Sequence, residues 1–83
     1  MNDNLSILLE IKSIVRNVIG DDSIEIEMNT VAADVNGWDS LAHITIVVST
    51  EEHYSIKFNL TEIQSIKEIS GFVGLIRSKT ELS

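Results

Sequence analysis

The sequence has no cysteine, which excludes a disulfide framework, a thiolate nucleophile and a thiolate-bound zinc site. It has no proline, no internal repeat and no low-complexity tract. Cations are scarce, and between Arg16 and Lys57 there is no lysine or arginine at all. That interval holds Asp21, Asp22, Glu25, Glu27, Asp34, Asp39, Glu51 and Glu52, and the net charge is −7. Phosphate backbones are bound by cations, so the charge pattern argues against nucleic acid and against anionic membrane surfaces. Its natural complement is a basic protein surface, although acidic excess also serves simple solubility. No long hydrophobic run is present: the apolar stretch from Leu41 to Val48 is too short to span a bilayer. The start, MNDNLSILLEIKS, lacks a basic region, and Glu10 and Lys12 interrupt its apolar residues. No secretory signal is expected, and the expected location is cytoplasmic.

Eighty-three residues form one small domain, 1–83, with stability of about 3–5 kcal/mol and little room for a deep enzymatic pocket. Leu5, Leu8, Leu9, Ile11, Ile14, Val15 and Val18 recur at helical spacing and predict a first helix over about 4–19. Asp3 or Asn4 can cap it, and Gly20 can end it. Residues 20–39 read as a long loop. Within it SIEIEMN alternates like a strand, but no second convincing strand exists to pair with it. A second helix spans 40–53. A short helical turn lies near 61–65, where Thr61 and Gln64 have capping-box spacing. A last helix runs over about 67–79, with Ile69, Phe72, Val73 and Ile76 on one side and Ser65 available as its cap. Gly71 and Gly74 weaken that helix by about 1 kcal/mol each, which close approach to another helix would offset. The fold class is all-α, a small bundle of three to four helices.

The second helix opens on GWDS and carries two apolar sides. Leu41, Ile44 and Val48 share one side with Glu51 and Glu52; Ile46, Val47, Thr50 and Tyr54 occupy the other, beside His43. Either side can face inward, and the pattern alone does not choose between them. Ser40 at the helix start has three readings. As part of a plain helix terminus it contributes about 1 kcal/mol, if it or Asp39 caps the backbone. As a hydrolytic nucleophile it has the letters of a triad in Asp39 and His43, but residues of one helical turn cannot surround a substrate, and no Gly-x-Ser-x-Gly elbow is present. As an attachment point it can carry a phosphodiester, favoured there by the free N–H groups and the positive end of the helix dipole.

GWDSLAHITIVVSTEEHYSIKF resembles the modification-site helix of the acyl carrier and peptidyl carrier protein family, with its Gly-x-Asp-Ser-Leu core. The likeness runs without gaps from about Gly37 to Ile76 and more loosely back to the first helix. Mid-chain position, acidic helix start, doubly apolar helix and one-domain length all agree with it. The resemblance implies an acyl-carrier-protein-like bundle, a freestanding monomer without catalytic residues of its own. It implies that a phosphopantetheinyl transferase attaches 4′-phosphopantetheine to Ser40, with Asp39 assisting the modification. The arm's thiol would then hold acyl or aminoacyl groups as thioesters, taken from a loading ligase and delivered to downstream acyl-processing enzymes. Leu41, Ile44, Val48, Glu51 and Glu52 match the exposed positions that partners touch, and Ile46, Val47, Thr50 and Tyr54 match inward ones. His43 and Thr45 stand where fatty-acid carriers often place acids, and Trp38 replaces a small residue. Both departures point to a specialised pathway rather than bulk fatty-acid synthesis. The alternative is an unmodified helical adaptor that binds partners through the Leu41–Ile44–Val48 ridge.

Three further features read as structural. Trp38 can close the loop over the core. His43 and His53 lie ten residues apart on different faces, so no shared metal is expected. Asp21, Asp22, Glu25 and Glu27 lack the spacing of a calcium loop.

Overall fold

Asp3 opens the first helix, its Oδ1 accepting the Ser6 N–H at 2.8 Å. That bond, with a second from the Ser6 hydroxyl, holds the Asp3 carboxyl below the usual carboxylate range. In this computed structural model, which describes residues 3–81, the chain forms α1 (Asn4–Ile19), α2 (Ser40–Tyr54), α3 (Leu60–Ser65) and α4 (Ile69–Glu81). A single 3-10 turn, Ala32–Asp34, lies in the loop between α1 and α2. Among the described residues the only extended pairing is an isolated antiparallel bridge between Val31 and Glu68. The chain is thus a small all-α bundle, with α1 packed against both α2 and α4.

The stripe that α1 buries differs from the one its leucines suggest. Ile7, Ile11 and Val15 are fully enclosed, while Leu5 and Leu9 are 65% and 53% exposed. Leu5 and Leu9 precede Ile7 and Ile11 by two residues, about 200° around the helix, so the two pairs point opposite ways. Gly20 ends α1 in the left-handed conformation at φ 80°, its N–H donating to the Arg16 carbonyl. Opposite α1, α2 contributes Ile46, Val47 and Thr50, and α4 contributes Ile69, Phe72, Val73 and Ile76. Thr50 is 0% exposed, and its hydroxyl donates to the Ile46 carbonyl at 2.8 Å. Its polarity is satisfied within its own helix, so it sits in the core without loosening it.

Residues 20–39 form a loop fixed at both flanks. Arg16 Nε donates to the Ile24 carbonyl at 2.7 Å and Arg16 Nη2 to Glu25 Oε1 at 2.6 Å, while Ile26 is buried in the core. Further along, the loop runs beside the start of α4. Ala32 N–H donates to Lys67 O, Ile69 N–H to Thr30 O and Ser70 N–H to Met28 O, at 2.8–2.9 Å. Two of the amides that a helix leaves unpaired at its start are thereby satisfied by loop carbonyls. This corrects the expectation of a Ser65 cap, and it moves the helix start from 67 to 69, because Lys67 and Glu68 are extended against the loop. Ser65 instead closes α3, donating to the Glu62 carbonyl.

The start of α3 is corrected as well. Its capping box is Asn59 with Glu62, not Thr61 with Gln64: Asn59 Oδ1 accepts the Glu62 N–H and Glu62 Oε1 accepts the Asn59 N–H. Glu62 also pairs with Lys79 of α4 at 2.9 Å. The Asn59 N–H, and then Lys79, hold the Glu62 carboxyl below its ordinary value of 4.5. A depressed carboxyl stabilises the fold above its ordinary titration range, and that contribution is lost as pH falls through the lowered value. The melting-temperature gap between wild type and Glu62→Gln should therefore be full at neutral pH and close on acidification below about pH 4. A gap that stays constant down to acid would contradict this.

Gly71 and Gly74 do not mark a close helix approach. A Cβ built on either meets nothing within 4 Å, so no packing offsets their helix-weakening effect. Gly71→Ala and Gly74→Ala should each raise stability by about 0.5–1 kcal/mol in denaturant unfolding. A loss of stability in either variant would overturn that reading.

Candidate functional site

Ser40 is the first residue of α2 and is exposed. The chain reaches it through a turn that only glycine suits. Gly37 has φ 91°, and a Cβ there would lie 2.8 Å from Ile19 Cγ2, so a side chain at this point meets both backbone strain and a clash. Two residues later Asp39 caps α2, its Oδ1 accepting the Ala42 N–H at 2.8 Å. The aspartate beside the serine is thus the cap, and Ser40 itself stands free of that duty. Between Gly37 and Asp39, Trp38 turns inward to 9% exposure and closes the loop over the core.

The two sides of α2 are resolved by burial. Ile46 and Val47 are enclosed and Tyr54 is half-buried, whereas Leu41, Ile44 and Val48 are 77%, 50% and 45% exposed. Sequence reasoning overlooked Leu60, which is 68% exposed at the head of α3. With Ile44, Ile63 and Trp38 it lines an open cleft of about 510 Å³ whose edge includes Ser40 and Asp39.

Glu51 and Glu52 are not equivalent. Glu51 turns back, and its Oε2 accepts the Phe58 N–H at 2.8 Å in a partly buried setting. Glu52 is exposed. Asp39 and Glu52 therefore stand at either end of an outward face whose middle is apolar. His43 Nδ1 accepts from Trp38 Nε1 at 3.0 Å, and His43 Nε2 bonds the Ile63 carbonyl at 3.0 Å. With both ring nitrogens engaged away from Ser40, the imidazole is not placed as its base. His53 faces Glu10 of α1 instead, at 3.2 Å. Among the described residues no group of three or more His, Asp or Glu converges as a metal site, and no helix is long and apolar enough to cross a membrane.

No protein-family model matches the sequence. The chain is 28% identical over 72 residues to the acyl carrier protein of Clostridium acetobutylicum, spanning 87% of this chain and 94% of that protein. It also superposes on the solution structure of holo acyl carrier protein from Geobacter metallireducens with a TM-score of 0.82. The identity there is 40%, covering 90% of this chain and 86% of that one. The chain belongs to the acyl carrier protein family. Members of this family carry acyl groups rather than convert them.

The different settings of the two glutamates give a test. Glu51→Ala leaves a partly buried N–H without its acceptor and should cost about 1–3 kcal/mol of unfolding free energy, whereas Glu52→Ala should stay within about 0.5 kcal/mol of wild type. Equal effects in urea titrations would show that the Glu51 bond does not hold the α2–α3 connection.

Proposed function

We propose that this protein carries acyl or aminoacyl groups as thioesters on 4′-phosphopantetheine attached to Ser40. The exposure of Ser40 at the first position of α2 carries this reading. Its oxygen can reach the phosphorus of the arm in coenzyme A while the transferase docks on the open side of the loop. The Ser40 O–P bond forms, the bond between the two phosphates breaks, the nucleotide leaves, and the serine proton passes to the transferase. The residues at the site fit the group. The N-terminus of α2 favours the phosphate, and the cleft edged by Ser40 and Asp39 offers an apolar surface to the arm. When bound, the arm supplies the thiol that a cysteine-free chain lacks.

Asp39 assists modification from its place beside the serine. Leu41, Ile44 and Val48 are the docking ridge, with Glu52 as the charge at its far end and Glu51 supporting the ridge from behind. A ridge with so few free carboxylates suits the enzymes of a specialised biosynthetic pathway, a loading ligase and its successors, better than strongly basic docking sites. The carrier works as a cytoplasmic monomer.

Intact-mass measurement tests the proposal. Co-expressed with a broad-specificity phosphopantetheinyl transferase, the wild type should gain one phosphopantetheine mass and Ser40→Ala should gain none. A wild type that stays unmodified would favour an adaptor that binds through the ridge alone.

A further inference from the structure

His43 spans the gap between α2 and α3 beside Ser40. Trp38 is the only tryptophan in the chain, and a buried indole N–H requires an acceptor. His43 Nδ1 provides it at 3.0 Å. An indole nitrogen only donates, so Nδ1 offers its lone pair and the ring hydrogen is on Nε2. That N–H donates to the Ile63 carbonyl at 3.0 Å. One imidazole thus binds the loop, α2 and α3 together, with the indole and imidazole centroids 6.1 Å apart.

The cleft edged by Ser40 has a closed floor. Ala32, Trp38 and Ile66 line it, and all three are buried members of the core. Ile44 of α2 and Leu60 of α3 line it too but are largely exposed, and they form its rims. Within the core, Ile46, Val47, Phe72 and Val73 are at most 1% exposed. A chain passing from the cleft into that core has two routes. It can part α2 from α3, which breaks the His43–Ile63 bond, or it can displace Trp38, which strips a buried indole N–H of its acceptor. Both routes run through His43.

We propose that the Trp38–His43 pair sets the length of cargo this chain shelters: it bars the core, so the cargo is a short acyl group held in the open cleft. Methylenes beyond the cleft stay in water and gain nothing from the fold. The bar is made of bonds rather than of bulk alone, since the imidazole is fixed at both nitrogens. The inference rests on the carrier reading of Ser40 and adds to it the class of cargo.

The test compares full-length protein loaded with butyryl or octanoyl arms, each transferred from its acyl-coenzyme A by a broad-specificity phosphopantetheinyl transferase. Intact mass is read first, and a chain that gains no arm overturns the carrier reading and this inference with it. In the loaded proteins, methyl NMR should show both cargoes perturbing Ile44, Leu60 and Ile63 of the cleft, with Ile46, Val47 and Val73 of the core unmoved. Burial of the extra octanoyl methylenes in the core would raise the melting temperature by more than about 5 °C. The two forms should instead melt within about 2 °C of each other. Core methyl shifts that appear with octanoyl, or the larger melting gap, would overturn the proposal, while the mass gained at Ser40 stands. His43→Ala removes both bonds and should admit the octanoyl chain: the core methyls then shift, and that form melts above its butyryl counterpart. A folded His43→Ala that still excludes the chain would also sink the proposal. The wild-type comparison decides even where the variant does not fold.

Discussion

The short backbone pairing between the loop and the head of α4 is the constraint on which the rest depends. Met28 and Thr30 lend their carbonyls to the Ser70 and Ile69 amides, and Ala32 takes the Lys67 carbonyl in return. These bonds satisfy amides that α4 could not pair internally, and they also fix the path of the loop. From that fixed point Ala32 and Trp38 drop into the core, Gly37 makes its turn against Ile19, and the chain arrives at Ser40 pointing outward. The placement of Ser40 is thus set by contacts made almost thirty residues downstream of it. Its own neighbours contribute the Gly37 turn and the Asp39 cap.

The second helix follows from the same economy. Its inward side closes the core with Ile46, Val47 and Thr50, and its outward side is nearly as apolar. Both interior threonines of the helix turn their hydroxyls back on the backbone, Thr45 to Leu41 and Thr50 to Ile46, so neither side gains much polarity. Leaving Leu41, Ile44 and Val48 in water forgoes about 1.5–3 kcal/mol for each side chain that could be fully buried. A surface of that kind is stable in solution but favours being covered. Recognition by contact with apolar groups, framed by Asp39 and Glu52, is what such a helix is suited to.

Much of this was legible in the residues. The helical order, the Asp3 and Gly20 caps and the exposed Ser40 follow from spacing and local chemistry, because those interactions lie within a few positions of one another. Three features escaped for a common reason: each depends on a distant partner. The true α4 start is set by loop carbonyls about forty residues earlier, the Glu51 bond by the chain returning at Phe58, and the Trp38–His43–Ile63 connection by the seating of α3. The glycines of α4 were misread for the opposite reason. They were assigned a neighbour that tertiary structure does not supply. On α1, leucine count outweighed angular position, and the isoleucines and valine that actually face the core were partly overlooked.

The engagement of both nitrogens of His43 matters for the safety of any cargo. An activated acyl group held near a free imidazole is exposed to attack by the ring's lone pair, the chemistry by which histidines take part in acyl transfer. In this fold the lone pair on Nδ1 is already given to the indole, and Nε2 carries hydrogen toward a carbonyl. A protonated ring would have no pair to give. Under either condition an acyl group brought to this cleft would meet a histidine with nothing left to attack it, and a residue often read as a mark of reactivity serves here to keep the neighbourhood inert.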